Sequence, residues 1–118
     1  QCVENLNWLI RKTGAAIVVS SSWRQLGYAG VRAILQRWGV TGDIIDITPE
    51  SDIALIHQRG QEIRLWLDFS PNVKAFVILD DHNDMGPLAD YLVLTSMENG
   101  LTREDVIKAA DIIQGQLI

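Results

Sequence analysis

Cysteine is almost missing from this sequence, with Cys2 standing alone. A lone thiol cannot form an internal disulfide, which excludes a disulfide-stapled secreted scaffold and fits a reducing, cytoplasmic compartment. No base and orienter accompany Cys2, so it reads as a small buried residue rather than a nucleophile. No apolar run approaches the roughly 20 residues of a membrane-spanning helix. Glycine-rich dinucleotide and P-loop motifs are absent, which sets nucleotide-cofactor roles aside. There is no internal repeat, low-complexity tract or linker, and 118 residues read as one domain around one hydrophobic core. Positive charge is also scarce. Ten Lys and Arg against fifteen Asp and Glu leave a net charge of −5, which argues against a surface that coats nucleic acid. A small site holding a phosphorylated end through a metal and one or two arginines stays open. Seven of the ten basic residues are Arg, the side chain suited to bidentate phosphate contacts. An initiator methionine is missing as well. The chain starts Gln1-Cys2-Val3, without a signal-peptide pattern, and is expected to continue something longer.

What is present centres on Ala75-Phe76-Val77-Ile78-Leu79-Asp80-Asp81-His82-Asn83-Asp84. Five apolar residues, rich in aromatic and β-branched types, read as a strand buried on both faces of a parallel sheet. The aspartates then fall where the strand leaves the sheet, the edge at which open α/β sheets bind ligands. Three carboxylates so close together repel one another. A hard divalent cation offsets that repulsion, and Mg²⁺ typically takes one or two carboxylates plus substrate phosphate. A solvated acidic turn capping the next helix would present the same residues.

The remaining elements follow from periodicity. Cys2 to Lys12 is helical, with Val3, Leu6 and Ile10 on one face and Gly14 as its C-cap. Ala15 to Val19 is a strand, and it runs into Ser20-Ser21-Ser22-Trp23-Arg24. Those hydroxyls either cap the next helix or aim at a phosphoryl oxygen, with Arg24 nearby. Gly27 to Trp38 is an amphipathic helix with Tyr28, Val31, Leu35 and Trp38 on one face. Asp43 to Thr48 is a strand closed by Pro49, and its polar positions place it at or near a sheet edge. Glu50 to Gln58 reads as a loop over the carboxyl edge, where His57 lacks an orienting partner. Arg59 to Leu67 is a helix with Ile63, Trp66 and Leu67 inward. Arg59 sits at its N-terminus, where a cation gains nothing from the helix dipole and calls for an anion or carboxylate partner. Tyr91 to Thr95 is another buried strand. Thr102-Arg103-Glu104-Asp105 resembles a capping box, and it starts a helix that buries Val106, Ala109, Ala110 and Ile113. Helix and strand alternate throughout, as in a parallel sheet covered on both faces.

A serine-terminated strand, a helix-leading arginine and an aspartate-terminated strand in that order resemble the haloacid dehalogenase (HAD) superfamily. More narrowly, the chain looks like the HAD-type domain of Swiss Army Knife RNA repair proteins. The carrying residues are Val18 to Arg24, Arg59 to Ile63 with Trp66 and Leu67, Val77 to Asp81 with Asp84 and Met85, and Gly100 to Thr102. The likeness spans essentially the whole chain. It implies a three-layer, Rossmann-like fold and an Mg²⁺-dependent phosphohydrolase. Ser20 would be the hydroxyl that hydrogen-bonds the transferring phosphoryl group, with Ser21 as its alternate. Arg59 would be the cation beside the nucleophile, Asp80 and Asp81 the Mg²⁺ ligands, Asp84 a further or outer ligand, and Arg24 an extra phosphate contact. The substrate implied is a phosphorylated small molecule or nucleic-acid end, with no membrane involved.

One departure is serious. The resembled phosphatases attack phosphorus with an Asp-x-Asp on an earlier central strand, and no Asp-x-Asp occurs in this sequence. Asp43-Ile44-Ile45-Asp46 has the wrong spacing and starts a strand. The resemblance places the missing strand between those ending at Ser20 and Asp80. Leaving it out would expose two rows of backbone groups, at about 1–3 kcal/mol for each one buried unpaired, against a domain stability of roughly 5–15 kcal/mol. The expectation is therefore a HAD-like domain, residues 1–118, lacking its first central strand and having little turnover by itself. A longer chain, a homo-oligomer or a strand-donating partner would complete it. The alternative is a non-catalytic HAD-like module that binds a partner.

Overall fold

A computed structural model describes residues 1–50 and 58–117. Helix α1 (Cys2–Thr13) ends at Gly14, whose left-handed backbone (φ 70°) returns its N–H to the Ile10 carbonyl at 2.8 Å. Strand β1 (Ile17–Val19), a 3-10 turn (Ser22–Leu26), helix α2 (Gly27–Arg37) and strand β2 (Ile44–Ile47) follow. Then come helix α3 (Gln58–Asp68), strand β3 (Ile78–Asp80), a second 3-10 turn (Gly86–Tyr91), strand β4 (Leu92–Leu94) and helix α4 (Arg103–Gln116). The expected capping box is present. Asp105 N–H donates to Thr102 Oγ1 at 3.2 Å, and Thr102 N–H donates to the Asp105 carboxylate at 3.0 Å. Most of the loop expected between Glu50 and Gln58, His57 included, lies outside the described residues.

The fold is α/β with parallel strands, but in two short sheets rather than one. β1 pairs with β2, Ile17 opposite Ile44 and Val19 opposite Ile47, with a register shift after Ile17. β3 pairs with β4, from Ile78 opposite Leu92 to Asp80 opposite Leu94. Among the described residues no ladder joins β1 to β3.

The β3–β4 sheet has helices on both faces because its side chains alternate. Val77, Leu79 and Val93 pack with Leu9 of α1 and with Val106, Ala109 and Ala110 of α4. Ile78 and Leu92 go the other way, onto Ile63 of α3 and onto Met85 and Leu88. Phe76 stacks on Tyr91 at a 4.4 Å centroid distance, and Gln116 of α4 hydrogen-bonds both the N–H and the C=O of Phe76. The β1–β2 sheet leans on α2, where Tyr28 donates its hydroxyl to the Ile44 carbonyl at 2.7 Å.

Several burial expectations change. Cys2 is exposed, because it opens α1 at the protein's edge. Trp38 is 54% exposed. It is the C-cap of α2, beyond the last turn whose period would aim it inward. The strands are not buried on both faces: all of β1 and most of β3 are half-buried, and Leu94 is exposed. For β1 and β3 the reason lies in the unfilled space between the two sheets. Leu94 lies away from it, beside Lys108 and Asp111 of α4.

Candidate functional site

The carboxyl ends of β1 and β3 open onto a single cavity of about 880 Å³, lined there by Ser20, Ser21, Arg59, Asp80, Asp81 and His82. Each residue arrives by a different route. Ser20 and Ser21 follow the last residue of β1, and the Ser21 carbonyl accepts the Arg24 N–H at 3.0 Å to close the turn. Asp80 is the last residue of β3, and Asp81 and His82 form the bend after it.

Arg59 reaches the cavity because of the glycine beside it. A Cβ on Gly60 would run into the Met85 backbone carbonyl, a clash that no side chain could relieve. Glycine lets the first turn of α3 settle directly on the chain after β3, where Gly60 N–H donates to the Asp84 carbonyl at 3.1 Å. Arg59 Nη1 then stands 3.4 Å from Asp80 Oδ2. The cation at this helix N-terminus thus has a carboxylate partner.

Asp80 is the hub. Its side chain is 9% exposed, and its second oxygen, Oδ1, accepts the His82 N–H at 3.0 Å. The His82 ring nitrogen Nδ1 lies 2.9 Å from Asp81 Oδ1 and 3.3 Å from Asp80 Oδ1. Asp80, Asp81 and His82 each place a potential ligand atom within 4.8 Å of the others. The two carboxylates are the hard oxygen donors that Mg²⁺ prefers. The imidazole is a softer neighbour that touches both, yet at 70% exposure it can swing away without unpacking anything. The donor set therefore fits a hard divalent cation. His82 is absent from the set read in the sequence, although it directly follows the two aspartates.

Two expected members stand apart. Asp84 is not among the clustered ligands; its backbone carbonyl holds α3 through Gly60. Arg24 does not line the cavity. Its guanidinium is buried and donates to the Ser21 carbonyl (2.9 Å), Thr48 Oγ1 (2.9 Å), the Pro49 carbonyl (3.0 Å) and Glu62 Oε1 (3.0 Å). Rather than facing a ligand, it ties the serine turn to β2 and α3. Glu62, only 4% exposed on α3, is its buried counter-ion, and helical periodicity alone could not reveal it.

The family described as "HAD domain in Swiss Army Knife RNA repair proteins" matches residues 1–106. No curated protein and no solved structure matches the chain. With nearly the whole chain covered, from α1 into α4, the protein belongs to the family of HAD domains found in Swiss Army Knife RNA repair proteins.

Proposed function

We infer that this domain is the phosphoryl-binding portion of an Mg²⁺-dependent HAD-type phosphohydrolase that cleaves phosphomonoesters. The observation that carries the reading is the convergence of Ser20, Arg59, Asp80 and Asp81 on one cavity, although they lie up to 61 positions apart in the sequence. Asp80 and Asp81 would hold Mg²⁺, which when bound supplies positive charge against the phosphoryl oxygens. Ser20 would donate its hydroxyl to one of those oxygens, with Ser21 at hand as an alternate. Arg59 would neutralise another while orienting Asp80 through their 3.4 Å contact. These are positioning and electrostatic tasks, the larger part of phosphoryl-transfer catalysis.

The attacking group is a separate matter. The resembled mechanism uses an aspartate that forms an aspartyl-phosphate, and the sequence contains no Asp-x-Asp to supply it. The chain alone is therefore expected to bind phosphate but turn over little. The family description, with its RNA repair proteins, favours a phosphorylated nucleic-acid end as substrate. The net charge of −5 points to recognition of the end rather than of a long backbone.

The test measures p-nitrophenyl phosphate hydrolysis and inorganic phosphate binding, with and without Mg²⁺. Wild type should bind phosphate in an Mg²⁺-dependent way, and Asp80→Asn should lose roughly tenfold or more of that affinity, one charged ligand being worth over 1.4 kcal/mol. Full turnover by the 118-residue chain would overturn the assignment of the nucleophile. Phosphate binding indifferent to Asp80→Asn and Arg59→Met would favour a non-catalytic binding module instead.

A further inference from the structure

We propose that the buried Arg24–Glu62 pair is a positioning device: it fixes the serine turn after β1 against the helix that carries Arg59, and so sets how tightly the site holds phosphate. The proposal rests on the phosphoryl-binding reading above and adds two residues that line no part of the cavity. Ser20 and Ser21 belong to the β1–β2 half of the molecule, and Asp80 and Asp81 to the β3–β4 half. Among the described residues no ladder joins β1 to β3, so side chains have to register the hydroxyls against the carboxylates. Trp66 donates to Asp46 within β2, and Asn7 holds Gly39 and Thr41 ahead of it. Both of those ties end away from the serine turn. Arg24 ends on it, with Nε donating to the Ser21 carbonyl at 2.9 Å.

The geometry suits that task. Nη1 of the same guanidinium reaches Thr48 Oγ1 at 2.9 Å, and the Pro49 carbonyl and Glu62 Oε1 at 3.0 Å. One rigid plane is thereby indexed to the turn, to the chain leaving β2 and to α3. Glu62 lies one turn past Arg59, and the start of α3 is pinned to the other half by Gly60 N–H on the Asp84 carbonyl. A chain of bonds thus runs from Ser21 through Arg24 and Glu62 to the helix that sets Arg59 3.4 Å from Asp80. The two charged side chains are 7% and 4% exposed, so water cannot stand in for either. Glu50, farther out at 3.9 Å and 43% exposed, adds little. A pair that served stability alone would be replaceable by two apolar side chains of similar size. A pair that aims hydroxyls at a phosphoryl group would not be, because small misplacements weaken such contacts steeply.

The test titrates the 118-residue chain with inorganic phosphate in the presence of Mg²⁺, and with Mg²⁺ alone, and follows urea unfolding alongside. Arg24→Met with Glu62→Met removes a cation and an anion together, leaving the net charge unchanged. It should bind phosphate about tenfold more weakly, the worth of one hydrogen bond to a charged group. Mg²⁺ alone should bind as in wild type, since its carboxylates lie on the other half. Arg24→Lys keeps the buried charge without the fork and should share most of the loss; it carries the test if the double variant does not fold. Ser20→Ala with Ser21→Ala should also cost about tenfold, and adding both to the double variant should cost little more, because Arg24 acts through those serines. Phosphate affinity kept in a folded double variant would make the pair structural only and overturn the proposal. So would full affinity in Arg24→Lys, or losses that multiply when the four changes are combined. A wild type that binds no phosphate would overturn the reading of the site itself, and this proposal with it, so the two failures are told apart.

Discussion

The crossing of α1 and α4 and the seam between β1 and β3 draw on the same apolar vocabulary but reach opposite states of packing. At the crossing, Leu9, Val106, Ala109 and Ala110 are closed off by one another and by Val93, with Val106 and Ala109 at 0% exposure. Small residues on α4 let the helices approach, and Arg103 lies over the Trp8 ring at 5.7 Å to cover the end. At the seam, Val18, Val19, Val77 and Leu79 stay half-buried against open space. Polar ties link the two sheets. Arg24 joins the turn after β1 to Glu62 of α3, Trp66 of α3 donates to Asp46 of β2 at 2.8 Å, and Asn7 of α1 holds Gly39 and Thr41. Each half keeps buried apolar residues of its own, Val31 and Ile44 in the β1–β2 half among them, and directional bonds run from one half to the other.

The strongest way to break that contrast is to cut the buried polar tie. Arg24→Met leaves Glu62 buried without its cation and should cost about 3–5 kcal/mol, whereas Arg24→Met with Glu62→Met should recover much of the loss. Urea unfolding of the two variants checks this, and a double variant as unstable as the single would place the cost in packing instead. Next in size is a matched pair of truncations. Val106→Ala should cost about 2–3 kcal/mol, since Val106 is fully buried away from the cavity and two methyl groups are lost together with the void they leave. Leu79→Ala should cost only about 1–2 kcal/mol, part of its surface already facing a cavity. Equal losses would show that the seam is closed in solution and that the contrast fails.

Much of this architecture was legible in the sequence, but unevenly. The face of α4 read from periodicity, Val106, Ala109, Ala110 and Ile113, is the face that is buried, because an amphipathic helix against a closed core leaves a pattern of period 3.6. Gly14 and the Thr102–Asp105 box were equally readable, since caps depend on neighbours in sequence. The convergence of Ser20, Arg59 and Asp80 needed the family likeness, as strand order leaves no local trace. Arg24 and Glu62 were unreadable as a pair. A buried ion pair separated by 38 positions looks, in sequence, like two solvated charges. His82 is hidden for a different reason: one histidine after two aspartates has no spacing of its own to mark it as a ligand.

The smallest expected effect tests the polar hinge on its exposed side. Trp66 spans the two sheets, its ring lining the cavity and its Nε1 donating to Asp46 Oδ2. Trp66→Phe keeps most of the apolar contact and removes that one donor. Because Asp46 is exposed, its carboxylate regains water, so the loss should be only about 0.5–1.5 kcal/mol, the net worth of one hydrogen bond. The informative readout is local rather than global. If α3 ties β2 to the rest through this bond, amide exchange at Ile45 and Ile47 should quicken in the variant while exchange at Val93 and Ala109 keeps its rate, since the closed core shares no contact with the change. Faster exchange at all four sites would mean that the seam and the core open together, and that the molecule does not divide along the line its packing draws.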